Sequence, residues 1–61
     1  MQKIDRQVLA RELRAEIALL QKLKQGETIN GLQLNREGIT LEWIESQIRF
    51  NQRLLDALES E

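Results

Sequence analysis

The sequence predicts an all-α, or nearly all-α, fold: an antiparallel helical hairpin with a short β-like connector, dimerising into a four-helix bundle. Three observations predict it. Residues 41 to 58 carry two interleaved apolar seams at heptad spacing. Two segments of matched length each open on a capping residue, and no proline interrupts either. The stretch between them is too long for a tight helix–helix turn and carries hairpin signals of its own. The whole of residues 1–61 reads as one helical-hairpin domain: helix 5–25, connector 26–39, helix 40–59.

The first helix opens on Ile4-Asp5, with Asp5 as N-cap and Ile4 placed to staple onto Leu9. It closes with Lys22 and Lys24 in its last turns and Gly26 at the C′ position. Its inward seam reads Leu9, Leu13, Glu16, Leu20, Leu23. The second helix opens on Ile39-Thr40, with Thr40 as N-cap and Ile39 placed to staple onto Ile44. Glu42 and Glu45 then set negative charge near its positive end. Helices of this length are roughly 28 Å long at 1.5 Å per residue, and equal lengths suit antiparallel packing.

In the second helix, one seam is Leu41, Ile44, Ile48, Asn51, Leu55, Leu58 and the other is Trp43, Gln47, Phe50, Leu54, Ala57. At about 100° per residue they lie a quarter turn apart and together span an apolar arc of about 200°. One stripe suffices to pack a single neighbour, and the chain supplies only one other helix. The second seam is therefore expected to meet another copy or another protein, with Trp43, Phe50, Leu54 and Ala57 as interface residues and the two aromatics as its anchors. The ordinary alternative for Trp43 is packing at the loop end of the core.

Set antiparallel, the first helix pairs Leu23 with Ile44, Leu20 with Ile48, Leu13 with Leu55 and Leu9 with Leu58. Glu16 then faces Asn51 as an expected polar core layer of the kind that fixes register. Glu16 reaching out to the edge on its aliphatic stem is the competing expectation.

The connector places Asn30-Gly31 between Ile29 and Leu32, a type I′ signal, and offers a second turn at Asn35 to Gly38. Its apolar residues are expected to fold back over the bundle end, with one or two very short strands. The exposed tip Asn35-Arg36-Glu37-Gly38 reads as a turn satisfied by its own Asn and Gly, with loop recognition as the sharper alternative.

Composition bounds the function classes. A chain of 61 residues without cysteine has no disulfide to staple a small core, and without histidine it lacks the usual zinc ligands. Oligomerisation is the remaining common remedy. Hydrophobic content of 41% with 31% charged residues is that of a folded amphipathic protein. A net charge of −1 favours neither nucleic acid nor an acidic membrane in bulk. No apolar run is long enough for a membrane span and no signal-peptide core opens the chain, so a cytoplasmic protein is expected.

No catalytic residue, metal ligand set or cofactor is expected, and the chain reads as a non-enzyme: carboxylates, lysines and hydroxyls are present, but none forms a recognised catalytic motif. Glu12 and Glu16 share a helical face at i, i+4. Doubled in a dimer they resemble a carboxylate cluster, but the histidine of the di-iron bundle motif is missing. Lys3, Gln7, Arg11, Arg14, Ala18, Gln21, Lys22 and Gln25 form an acid-free stripe on the first helix. Lys3, Arg11, Arg14 and Lys22 are the candidate nucleic-acid face, against the ordinary reading of a solvated surface. The second helix presents a mixed polar face, with Glu45 and Arg49 spaced as an i, i+4 ion pair.

The expected function is thus a small protein–protein interaction module, a homodimeric adaptor or regulator with a protein partner. In layout, two helices forming a dimeric bundle with a basic outer face, the chain resembles the small plasmid Rop proteins. That resemblance implies a regulator binding RNA loop pairs along one bundle face, although the Gly26–Ile39 connector is longer than that family's turn. The order helix, short hairpin, helix is also similar to the small phage head–tail joining proteins of the gpW type, which implies a structural role in an assembly.

Overall fold

The computed structural model describes residues 5–60. Helix α1 spans Arg6–Lys24 and helix α2 spans Leu41–Glu59, and the two pack antiparallel as a hairpin. Asp5 caps α1, its carboxylate accepting from the Gln7 N–H at 2.9 Å. Thr40 caps α2, its hydroxyl accepting from the Trp43 N–H at 3.1 Å. Each cap satisfies an otherwise orphaned donor and stabilises its helix by about 1 kcal/mol. The Ile4 staple lies outside the described residues. Ile39 is half-buried against Leu20, Leu23 and Ile44, where a staple residue belongs.

The C-terminus of α1 closes as a Schellman motif. Gly26 takes φ +95°, its N–H donates to the Leu23 carbonyl at 3.0 Å, and the Glu27 N–H donates to the Lys22 carbonyl at 3.0 Å. The connector is then a run of tight turns. Ile29 and Leu32 exchange both backbone hydrogen bonds, at 2.9 and 2.8 Å, around Asn30 and Gly31. Both central residues have positive φ, as a type I′ turn requires. The Arg36 N–H next donates to the Gln33 carbonyl across Leu34-Asn35, and the Ile39 N–H to the Arg36 carbonyl across Glu37-Gly38. Asn35, Glu37 and Gly38 supply the positive φ those turns demand. The expected short strands reduce to an isolated bridge, Ile29 with Leu32. With a turn every few residues, the connector has no extended run to pair.

Two apolar clusters form the core. At the loop end Leu20, Leu23 and Ile44 are buried, with Ile29, Leu34, Ile39 and Ile48 packed over them. Toward the open end Ala10, Leu13, Ile17 and Leu55 are buried, with Leu9, Ile48 and Leu58 against them. Ile48 joins the two clusters. The expected polar layer does not form inside the hairpin. Glu16 is exposed, and Ile17 holds the middle of α1's packed face. Ile17 lies four residues after Leu13 and three before Leu20, so it fills the seam that Glu16 was expected to occupy without leaving a charge to desolvate. Asn51 is half-buried, and its amide is satisfied locally by donating to the Gln47 carbonyl at 2.8 Å.

Candidate interaction surface

An antiparallel hairpin has two long edges, and here they differ in chemistry. Moving round each right-handed helix from its buried line in the direction of increasing residue number leads to the same edge of the hairpin. On that edge Arg14 pairs with Glu59, and Lys24 Nζ lies 3.3 Å from Glu45 Oε2. Glu45, spaced to pair with Arg49, reaches across to α1 instead. Gln52 donates to Asp56 at 3.0 Å on the outer surface of α2.

The other edge is apolar. Its α2 side carries Trp43, Gln47, Phe50, Leu54 and Ala57, roughly a fifth to two-fifths of a turn from the line of Ile44 and Leu55. Gln47 is half-buried and the others are exposed. Phe50 is 60% exposed and Trp43 and Leu54 are each 43% exposed, well above what large apolar side chains usually leave to water when they belong to a core. Its α1 side carries Leu9, Glu12, Glu16 and Leu19, of which Leu9 is half-buried and the rest exposed. Leu19 does not belong to the expected seam of α1. The signal for it was its spacing of three from Glu16 and seven from Glu12, which places all of them on this edge.

The basic stripe is a different surface. Lys3 lies outside the described residues, whereas Gln7, Arg11, Arg14, Ala18, Gln21, Lys22 and Gln25 are all exposed on α1. Arg14 is engaged by Glu59, and Glu45 lies beside the stripe's loop end on Lys24. The α1 cations are thus interleaved with α2 carboxylates, so the positive field along the stripe is weaker than the α1 sequence alone implies. The turn residues Asn35 to Gly38 are exposed at the far end of the molecule.

Among the described residues no three acidic side chains converge as a metal site, and no helix is long and apolar enough to cross a membrane. Comparison with family models, with curated proteins and with solved structures gives no match. The likenesses to Rop and to head–tail joining proteins accordingly rest on layout alone.

Proposed function

We propose that this chain is a small non-enzymatic interaction module. It pairs with a second copy through its apolar edge to complete a four-helix bundle, and the pair serves as an adaptor or regulator for another protein. One observation carries the reading: Trp43, Phe50 and Leu54 stand in line on one edge and are exposed in the single hairpin. Fully burying such a side chain stabilises by about 1.5–3 kcal/mol, so several half-exposed ones in register favour a tight pair. Association also remedies the small core of a 61-residue chain without cysteine.

Sedimentation equilibrium from about 1 to 100 µM, a range that reports micromolar dissociation constants, tests it. Wild type is expected to be a dimer and Trp43→Ala/Phe50→Ala a folded monomer. A wild-type monomer across that range would sink the reading. A ring-sized oligomer would favour an assembly role like that of the head–tail joining proteins. The nucleic-acid reading is weaker because Arg14 is paired. It predicts binding that falls steeply with salt and disappears in Arg11→Glu/Arg14→Glu.

A further inference from the structure

We infer that the second copy docks with its connector at the same end as the first, the two-fold axis running along the bundle, so that Arg53 of each chain lies beside Glu12 of the other. The inference rests on the pairing proposed above and adds its orientation.

Two arrangements close a four-helix bundle from two hairpins while keeping neighbouring helices antiparallel. With the axis along the bundle, α1 lies beside α2 of the second copy and both connectors share one end. With the axis across the bundle, α1 lies beside α1, α2 beside α2, and the connectors sit at opposite ends. The apolar residues tolerate either arrangement, but the charges do not.

Glu12 and Glu16 are the only acidic residues in α1, and both lie on the apolar edge. Arg49 and Arg53 are the only basic residues in α2. Arg53 sits next to Phe50 and Ala57 round the helix, at the outer margin of the same edge. All four charged residues are exposed. The hairpin packs Leu13 with Leu55 and Leu20 and Leu23 with Ile44. In that register Arg53 is level with Ala15, between Glu12 and Glu16 and within one turn, about 5 Å, of each along the axis.

If the axis runs along the bundle, the same levels apply between α1 and α2 of the second copy. Arg53 then meets the carboxylate pair over the small Ala15, with Glu12 the nearer round the helix. This happens twice by symmetry. If the axis runs across the bundle, each helix meets its own copy about the one level at which the axis lies. Ala15 and Phe50, the midpoints of α1 and α2, lie about 4.5 Å apart in the register above, so the axis lies between them, close to the level of Glu16 and Ile17. Glu16 of one chain then comes level with Glu16 of the other to within about 3 Å, in the middle of the contact. Arg53 of the two chains likewise falls on the same outer side of the α2 pair, within about one turn. Like charges so placed oppose association, whereas opposite charges steer it and fix its register.

Two measurements test the orientation on the full chain. Because the protein has no cysteine, Arg36→Cys in the exposed connector accepts a single spin label. Same-end docking predicts a label separation near the 18–20 Å width of one hairpin, and opposite-end docking one at or beyond its 38 Å length. Glu12→Arg is expected to weaken the dimer roughly tenfold, an effect of about 1.4 kcal/mol, and Glu12→Arg/Arg53→Glu to restore it. A long separation, or a dimer tightened by Glu12→Arg, overturns this orientation and leaves the pairing intact. A wild-type monomer overturns the pairing itself. Circular dichroism confirms that each variant keeps its helices, since every substituted position is exposed.

Discussion

The two helices have the same length, 19 residues each, yet they use their apolar residues differently. Ala10, Leu13, Ile17, Leu20 and Leu23 of α1 are buried within the hairpin, while α2 buries only Ile44 and Leu55. The difference does not come from a shortage in α2, which holds Trp43, Phe50 and Leu54 exposed on a second line. α1 concentrates most of its apolar side chains on one buried line, leaving Leu19 exposed on the apolar edge. α2 divides its apolar side chains between two lines; the single hairpin covers one, and under the proposed pairing the second meets another copy.

The largest expected effect comes from the shared line. Ile44 is fully buried at the loop end, 0% exposed, where Leu20, Leu23 and the connector close over it. Ile44→Ala should cost about 3–4 kcal/mol by transfer and cavity terms, enough to unfold much of so small a domain. Urea unfolding followed by circular dichroism checks this. Phe50→Ala is the matched removal from the second line. It should leave the helical signal of the folded chain intact while shifting the dimer to monomer. If both variants lose helix to the same extent, the two lines of α2 are not distinct.

A second pair of substitutions examines α1. Ile17→Ala should destabilise by about 2–3 kcal/mol, and Glu16→Ala by no more than about 1 kcal/mol, as for an exposed charge. The reverse order would put Glu16 in the seam. These neighbours also mark where the sequence stops being legible. Caps, helix bounds to within a residue, the Gly26 stop and the Asn30-Gly31 turn follow from local chemistry, which the sequence states directly. The inward face of α1 does not, because Leu9, Leu13, Leu20 and Leu23 fit a line through either Glu16 or Ile17. Only packing against Leu55 and Ile48 decides between lines one residue apart. The apolar edge of α2 was readable because its second seam was surplus to the first. Leu19 was not, because the line it shares with Leu9 runs through Glu12 and Glu16 and so looks polar.

The connector is held by backbone geometry more than by apolar contact, so its breakage should be smaller. Gly26 sits at φ +95° with open space around its Cα. Gly26→Ala therefore meets no clash, only the cost of left-handed backbone, about 1 kcal/mol. Thermal unfolding should show a matching drop. A neutral result would mean that the α1 terminus relaxes without its Schellman bonds.

The smallest effect on stability is expected on the ion-paired edge, opposite the apolar one. The side chains of Arg14 and Glu59 remain 55% and 47% exposed, so their pair is screened by water and salt and contributes about 0.2–1 kcal/mol. Glu59→Gln should change the unfolding midpoint little, and less still in high salt. The same substitution releases Arg14 into line with Arg11 and Lys22 and removes a carboxylate from beside them. Under the nucleic-acid reading it should tighten binding to a phosphate backbone, most visibly at low salt. Under the interaction-module reading it should alter neither dimerisation nor nucleic-acid retention. The substitution that matters least to the fold thus separates the two edges most sharply, because it strengthens one candidate surface without touching the other.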